Sequence, residues 1–556
     1  MKKKAIAILL CFSVFGSLLT ACGSTAASSS GEAASTTSTT EADSATSGAS
    51  SADTGSTMTF AISAECDELD PGINDYLASS SMIMNLFMGL YMTGEDGKTL
   101  TNGCAESYDL SDDGLTYTFH LYDDLKWSDG SPLTAEDFEW SWLRELNPET
   151  ASPSCALLFV IKGAEEFNSG EGTADDVAIK AIDDTTLEIT LNNPTSYFLD
   201  LISAEMPVQK AAVEGSDTWT LSPDTFVCNG AYMMTGYSPE ESYTLTKNPN
   251  YKYADDVTVD TINVVFINDS SAALTAFENG EIDMTNNISV SAQEKYSGTD
   301  TLKDYSTIGT SYADINCEKI SDARVRKALS EAIDRETLCQ SFISSKPTAA
   351  TGYVPVGISY SDSGDDYRAT LGDLVTYDPD DAKKLLQEAV ADGFDATRTF
   401  TYICKNDTEQ KNIAQALQSM WKQNLGLDFE IVTYESGSYW DVVHQGDFDV
   451  DTDGWSGDYN DPSTMLDVLK QGEVETNCRW ADDAALKYDS MQDEAAAETD
   501  QTKRFEIFAE SEKLLIDDSP IIPVYYRKSQ MLTGDRIAYT TNDQLGHYLI
   551  KYTKLK

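Results

Sequence analysis

The sequence has few of the residues on which most enzyme sites depend. Only three histidines occur, His120, His444 and His547, and none belongs to an HxH or HExxH pattern, so a zinc hydrolase is poorly supported. There is no GxSxG nucleophile turn, no GxGxxG and no phosphate-binding loop. The 93 acidic residues would allow any carboxylate pair to be named a glycosidase dyad, so none is singled out. We predict no enzymatic activity, no catalytic residue, no metal and no cofactor.

Positive charge is also scarce. The chain has 38 Lys and Arg against 93 Asp and Glu, a formal net charge of −55 at pH 7. Phosphate binding requires clustered Lys and Arg, so this balance excludes nucleic acid as a partner and argues against contact with anionic lipid. We interpret the excess of acidic residues as a feature that keeps the protein soluble.

Among the ten cysteines there is no CxxC pair and no zinc-like grouping. Cys11 and Cys22 lie near the N-terminus, and the other eight are widely and irregularly spaced at positions 66, 104, 155, 228, 317, 339, 404 and 478. An exported protein permits disulfides, but this spacing equally allows free, buried thiols. Both alternatives stay open on the sequence alone.

Only one long apolar run occurs, at residues 5–19, directly after Lys2, Lys3 and Lys4. It is too short to span a bilayer comfortably and is typical of a secretory signal. The run ends in Leu-Thr-Ala-Cys, which resembles a bacterial lipobox. This predicts a lipoprotein signal peptide over 1–21 and a lipidated Cys22, with an ordinary signal peptide cut nearby as the alternative.

Residues 22–57 have almost no material for a folded core. The segment is nearly all Ser, Thr, Ala and Gly with a few acids, and it contains no aromatic and no large aliphatic residue. Such a composition cannot offset the entropy of ordering the chain. We predict a disordered tether that holds a folded body at the extracellular face of the bacterial cell membrane.

The rest of the chain predicts a mixed α/β body. The alternation over 115–121 indicates a strand, and residues 79–91 are apolar enough for a buried helix. Thr134 followed by Asp137 predicts the start of a helix that runs to 146. Residues 321–334 show a helical apolar stripe with Ser321 as the expected N-cap.

One acidic run matches the opening of a calcium loop. Residues 449–454 read Asp-Val-Asp-Thr-Asp-Gly, which is the DxDxDG pattern. The twelfth position is Asn460, where a bidentate Glu is expected, and the preceding residues alternate like a strand. A solvated acidic strand edge is therefore the preferred interpretation, with calcium as the alternative.

Several segments resemble the extracellular solute-binding proteins of oligopeptide and dipeptide import systems, known as family 5. They occur in the family's order and span nearly all of residues 58–556. The matching segments are Leu69-Asp70-Pro71, the block from Lys126 to Phe138 (KWSDGSPLTAEDF), Asn229 to Tyr232 (NGAY), Gly280 to Asp283 (GEID), Asp322 to Leu329 with Ile333 to Arg335, and Gly454 to Pro462 (GWSGDYNDP).

The resemblance implies an α/β, periplasmic-binding-protein-like class II fold with two lobes and a cleft that closes about a hinge. Domain I would comprise 58–88, 223–315 and 525–556, and domain II would comprise 89–222. Domain III, at 316–524, would form the second lobe. A ligand held between the lobes would close them.

The resemblance also implies a function and a site. The chain would capture short peptides in an extended conformation, by strand addition, and deliver them to the permease of an ABC importer, acting as a monomer. The segments that match the ligand-pairing strands are Asp75-Tyr76-Leu77 and Gly454-Trp455-Ser456. Asp458, before a Tyr-Asn pair, matches the family's anchor for the peptide ammonium group. Gly454 would let a ligand backbone approach closely, and Trp455 and Tyr459 would line side-chain pockets or pack within domain III.

One position departs from the family pattern. Relatives carry an arginine six residues before the anchor aspartate, where it meets the carboxylate of short peptides, whereas this chain has Thr452 there, among Asp449, Asp451 and Asp453. Such acidic surroundings would repel a peptide C-terminus, which predicts longer peptides or peptides rich in Lys and Arg. The alternatives are a same-fold binder of a nickel complex, haem or an oligosaccharide, and a peptide-pheromone receptor.

Overall fold

A computed structural model describes residues 56–74, 76–216, 218–360, 365–473 and 477–556. The predicted signal peptide, Cys22 and nearly all of the predicted tether lie outside these residues. Within them the strands are β1 Thr57–Ile62, β2 Tyr91–Thr93, β3 Leu100–Asn102, β4 Ala105–Leu110, β5 Thr116–Leu121, β6 Ile179–Asp183, β7 Thr186–Thr190, β8 Tyr232–Ser238, β9 Ser242–Lys247, β10 Thr261–Phe266, β11 Met284–Thr285, β12 Leu302–Asp314, β13 Thr348–Ala349, β14 Ser359–Tyr360, β15 Asp365–Asp366, β16 Thr399–Lys405, β17 Asp428–Tyr434, β18 Val450–Asp451, β19 Asp453–Ser456, β20 Ile521–Thr533, β21 Ile537–Tyr539 and β22 Lys554–Leu555.

The α-helices of the same residues lie mostly in the second half of the chain, and the longest have 18 residues. They are α1 Leu77–Leu86, α2 Ala135–Leu146, α3 Ala164–Asn168, α4 Phe198–Ile202, α5 Lys210–Val213, α6 Ser270–Glu278, α7 Val290–Tyr296, α8 Ala323–Glu331, α9 Arg335–Phe342, α10 Tyr367–Leu371, α11 Pro379–Ala391, α12 Thr408–Leu425, α13 Ser436–Gln445, α14 Ser463–Leu466, α15 Asp483–Ala497 and α16 Gln501–Asp518. None of them has the length and the hydrophobicity that crossing a membrane requires.

Three sheets carry most of the strands. The largest has nine strands in the order β19-β12-β20-β11-β1-β10-β9-β8, with β13 paired to β20. A four-stranded sheet has the order β4-β5-β7-β6, and a three-stranded sheet has the order β17-β16-β18. Because β19 ends the large sheet, one of its edges meets no other strand of the described residues.

The hydrophobic cores form two sets along the chain. One large core takes its buried side chains from residues 58–264 and from a few positions at 284 and 531–550. Further cores take theirs from residues 308–524. The two long antiparallel strands β12 and β20 serve both sets, since Tyr305 and Met531 pack on the first core while Ala313 and Ile522 lie in a second. The boundaries of domains I to III stay a prediction.

The strands β12 and β20 cross from one set of cores to the other side by side. They are paired from Leu302 to Ser306 and again from Thr310 to Asp314, and the register shifts between Ser306 and Thr310. A second register shift lies between Ser311 and Tyr312, and such shifts bend and twist strands locally.

The capping signals read from the sequence give mixed results. Thr134 and Asp137 form the predicted capping box of α2. In α8 the N-cap is Asp322, whose carboxylate accepts from the Arg324 N–H, so the expectation for Ser321 is wrong by one residue because a second capping side chain follows it. The predicted helix over 79–91 is also wrong at its end: α1 stops at Leu86 and Tyr91 lies in β2.

The structure resolves the alternatives for the cysteines it describes. All eight have free thiols, and seven of them are buried. Burial raises the pKa of thiols such as Cys66 and Cys228 to about 12, so they behave as small apolar side chains rather than nucleophiles.

Candidate functional site

The edge strand β19 presents its unpaired side within the predicted site. Its register with β12 pairs Thr310 with Trp455 and Ser311 with Gly454. The Gly457 N–H donates to the Ile308 carbonyl at 2.8 Å, which fixes the phase of the ladder: alternate residues face β12 and the others face away. Trp455 therefore bonds to β12, whereas the backbone groups of Gly454 and Ser456 point outward. The Gly454 N–H already donates to the Asp453 carboxylate, so the Gly454 carbonyl and the Ser456 backbone groups are the ones to which an extended ligand can add.

A side chain is excluded at Gly454 for a reason that the sequence does not show. A Cβ there would overlap the Arg527 guanidinium and lie 2.8 Å from the Thr310 carbonyl oxygen. The Gly454 N–H is held by the Asp453 carboxylate at 2.8 Å. Gly454 is thus required by contacts within the protein, and its predicted role in admitting a ligand backbone stays a prediction.

Trp455 is fixed by contacts within the second part of the chain. Its indole N–H donates to the Thr464 carbonyl at 2.7 Å, and the ring is half-buried against the core formed by residues 308–521. Thr464 also accepts the Asp458 N–H on its hydroxyl at 2.8 Å. A Cβ at Gly457 would lie 2.6 Å from the Thr464 methyl group. These contacts join β19, the turn after it and α14 into one rigid unit.

The Asp458 carboxylate is accessible to solvent, yet protein atoms surround it on most sides. Desolvation alone raises the pKa of Asp458 to about 6. No hydrogen bond or ion pair to this carboxylate occurs within the described ranges of the chain. Asp458 lines a recess together with Lys98, Asp200 and Gln544. A carboxylate in this setting is ready to accept hydrogen bonds from a cation.

Tyr459 joins two distant parts of the chain. Its ring stacks on that of Tyr197, with 4.4 Å between centroids and an interplanar angle of 8°. The hydroxyl of Tyr459 lies 3.2 Å from that of Ser463. Tyr459 lines the recess that also contains Asp458, and its ring touches the predicted domain II as well as the predicted domain III.

A buried ion pair supports the same junction. Arg504 binds both carboxylate oxygens of Asp461 at 2.7 and 2.8 Å, and each side chain is at most 5% exposed. Arg504 also donates to the Ser196 hydroxyl at 3.3 Å. Burial, followed by the charge of Asp461, raises the pKa of Asp200 to about 7.

A cavity of about 520 Å³ opens between these elements. Its lining comes from four separate stretches of chain, at 96–100, 196–200, 357–366 and 460–505, and from Gln544. Asn460 bridges two of its walls, because its side chain accepts the Ser359 N–H at 2.9 Å and donates to Gln544 at 3.0 Å. The cavity and the recess of Asp458 share Lys98, Asp200 and Asn460 in their linings, so the two adjoin.

The second predicted pairing segment is only partly a strand. Asp75 lies outside the described residues. Tyr76 has an extended backbone and is 52% exposed. Leu77 begins α1, so the expectation of a strand is wrong there, because the Tyr76 carbonyl already accepts the Ser80 N–H and opens the first helical turn.

One of the three aspartates predicted to surround Thr452 with negative charge is neutralised by an arginine. Asp449 is buried and accepts two hydrogen bonds from Arg398, at 2.6 and 3.0 Å. Asp451 is fully buried and accepts the Asp314 N–H. The Thr452 hydroxyl lies 2.8 Å from that of Tyr402. The expected repulsion of a peptide carboxylate is therefore wrong for Asp449, and the preference for long or basic peptides loses this support.

The same contacts bear on the calcium pattern and on the histidines. No group of three His, Cys, Asp or Glu side chains in the described part of the chain is arranged for a metal ion. His120 pairs with Asp109, His444 stacks on Trp440, and His547 pairs with Asp543. The three rings have separate structural partners and share no site.

Sequence reasoning missed four side chains at this site: Tyr197, Asp200, Arg504 and Arg527. Each comes from a segment far from the Gly-Trp-Ser-Gly-Asp run. The signals available were weak, since an aromatic residue before a helix and an arginine in an acidic protein are both common.

Comparison with known proteins identifies the family. The family model described as bacterial extracellular solute-binding proteins, family 5 middle, matches residues 99–476. The oligopeptide-binding protein OppA of Bacillus subtilis is 32% identical over 536 residues, covering 94% of each chain. The periplasmic oligopeptide-binding protein OppA of Escherichia coli is 33% identical over 512 residues, covering 88% of this chain and 92% of that protein.

Solved structures show the same architecture. An unliganded, open form of the periplasmic murein tripeptide-binding protein MppA superposes with a TM-score of 0.76 at 29% identity, covering 90% of this chain and 98% of that one. Peptide-bound OppA of Listeria monocytogenes superposes with a TM-score of 0.71 at 26% identity, covering 91% and 100%. The fold is thus the two-lobed, class II binding-protein fold, and the chain belongs to the bacterial extracellular solute-binding proteins of family 5.

Proposed function

We propose that this chain captures short peptides with a free amino terminus between its two lobes and delivers them to the permease of an ABC importer. The observation that carries the proposal is the pairing of two features. One is the outward-facing strand edge at Gly454 and Ser456, and the other is the partly enclosed carboxylate of Asp458, two residues after Ser456, which has no partner among the described residues. The edge serves any peptide sequence, because every peptide offers the same backbone groups.

The relatives support peptides over the other ligands. Those compared above are named as binders of oligopeptides or of a murein tripeptide. A nickel complex, haem or an oligosaccharide has no backbone for the edge strand and no ammonium group for Asp458. A peptide pheromone offers the same backbone and ammonium groups, so nutrient uptake is favoured over a pheromone receptor only by the names of the relatives compared above.

The proposal is tested with the full chain, purified in detergent and refolded to remove bound peptide. A pool of peptides of four to eight residues is added in free-amine and in N-acetylated form. At about 100 times the dissociation constant, binding stabilises the fold by roughly 2.7 kcal/mol. Only the free-amine pool is expected to raise the unfolding temperature, and equal shifts with both pools would rule out the amine anchor.

A lipid anchor belongs to the same proposal. The Leu-Thr-Ala-Cys sequence at residues 19–22 follows the apolar run at the position of a lipobox. We place a diacylglyceryl group on Cys22, which attaches the protein to the extracellular face of the cell membrane, where it acts as a monomer. Mass spectrometry of the mature N-terminus tests this: an unmodified residue, or a cut at another position, would contradict it.

A further inference from the structure

Arg527 lies in β20, which is separated from the edge strand β19 by β12 in the same sheet. Its aliphatic stem covers Gly309 of β12, where an added Cβ would lie 3.0 Å from the Arg527 Cδ. The guanidinium then reaches across β12 to β19. There its Nε donates to the Ser311 hydroxyl at 3.2 Å, and Nη1 donates to the Ser456 hydroxyl at 3.0 Å.

The guanidinium covers one face of the edge strand. Residues two apart in a strand point to the same face, so Gly454 and Ser456 share a face, while Trp455 points to the other. Nη1 binds the side chain of Ser456, and Nη2 occupies the space that a side chain at Gly454 would fill. The positive charge therefore lies beside the two residues whose backbone groups face outward.

The charge of Arg527 has only neutral partners where the structure describes the chain. Both of its bonded hydroxyls are uncharged, and no described carboxylate forms an ion pair with it. Arg368 and Arg504 are buried and each pair with a carboxylate, whereas the buried Arg335 is held by backbone carbonyls and the Ser330 hydroxyl. A guanidinium has five donors suited to a carboxylate, and Arg527 uses two of them.

We infer that Arg527 is a specificity-determining residue that selects ligands carrying a carboxylate opposite Ser456. The inference rests on the proposed function and deepens it. A ligand with its ammonium at Asp458 runs back along β19 at about 3.3 Å per residue. Its second or third residue then lies opposite Ser456, and in an antiparallel pair the side chains of opposite residues share a face.

Two sources can supply this carboxylate. In a longer peptide it is the side chain of Glu or Asp at the second or third residue, and in a dipeptide or tripeptide it is the C-terminus itself. Position 452, where the family resemblance leads us to expect an arginine, holds a threonine whose hydroxyl is bonded to that of Tyr402. Arg527 provides a positive charge in its place. The expected preference is for acidic ligands, opposite to that drawn from the acidic run at 449–453.

The test uses calorimetric titration of the full chain in detergent. One series consists of alanine pentapeptides with Glu or Gln at the second, third or fourth residue. A second series compares trialanine with its C-terminal amide. The variants are Arg527→Gln, Arg527→Lys and the control Lys528→Gln, which removes the neighbouring positive charge that pairs with Asp304.

In the wild type, the pentapeptide with Glu at the second or third residue is expected to bind about 10-fold tighter than the matching pentapeptide with Gln. Alternatively, trialanine is expected to bind about 10-fold tighter than its C-terminal amide. In Arg527→Gln this ratio falls to about 1, whereas Arg527→Lys keeps part of it and Lys528→Gln keeps all of it. The unfolding temperature of each variant shows that it is folded.

If the wild type binds neutral peptides but shows no preference in either series, or if the preference survives in Arg527→Gln, the role of Arg527 is refuted and the proposed function stands. If no peptide of either series binds, both are wrong.

Discussion

Asp458 and Asp461 lie three residues apart in the same turn, and their carboxylates have opposite surroundings. Asp461 is buried and bound on both oxygens by Arg504. Asp458 is partly enclosed and has no partner among the described side chains, and its pKa is raised to about 6. A charge that is satisfied within the protein supports the fold, whereas a charge that the fold leaves unsatisfied is available to a ligand.

The largest expected effect follows from breaking the satisfied pair. Asp461→Ala leaves the Arg504 guanidinium buried without its partner, which typically costs 3–5 kcal/mol of folding free energy. Urea unfolding of the variant measures this loss. A change below about 1 kcal/mol would show that Arg504 finds another partner and that the two aspartates differ less than the structure indicates.

The next effect concerns the unsatisfied carboxylate. Asp458→Asn removes a charge-assisted hydrogen bond worth about 1.5–3 kcal/mol, so the dissociation constant for a free-amine peptide should rise about 10- to 100-fold. Folding stability at pH 7 should stay the same or increase, because the folded state no longer encloses a desolvated charge. Loss of stability without loss of affinity would reverse the roles assigned to the two residues.

The smallest effect is the pH dependence of binding. The free protein holds Asp458 ionised above a pKa of about 6, and a bound ammonium group lowers this raised pKa. Affinity should therefore be level between about pH 7 and 7.5, be about halved at pH 6, and fall by up to about tenfold per unit below pH 6. Titrations at pH 4.5 to 7.5 measure it. In Asp458→Asn the affinity should not decrease at acid pH in this way. If it decreases as in the wild type, the titrating group is Asp200, which lines the same recess.

Local signals in the sequence predicted what local contacts decide. The capping box at Thr134 and the strand at Thr116–Leu121 need only nearby residues, and both are present. Gly454 to Ser456 also form the predicted strand. The family motif located Asp458, but its enclosure depends on side chains from several distant segments.

Local sequence patterns did not predict the features that contacts between distant segments decide. The aspartates at 449 and 451 look like one exposed acidic field in the sequence. In the fold, Arg398 neutralises the first, and the second is enclosed beside Asp314. The Tyr197–Tyr459 stack joins residues more than 260 positions apart, and no periodicity within either segment predicts this contact.

The open edge of β19 also bears on solubility. An unpaired strand edge is a template on which another protein molecule can add a strand and begin to aggregate. Here the edge is only four residues long, and it ends in a turn that Thr464 fixes. A strand of a neighbouring copy therefore finds few backbone groups with which to pair. The shortness that suits a brief peptide segment thus also limits edge-to-edge association of the protein.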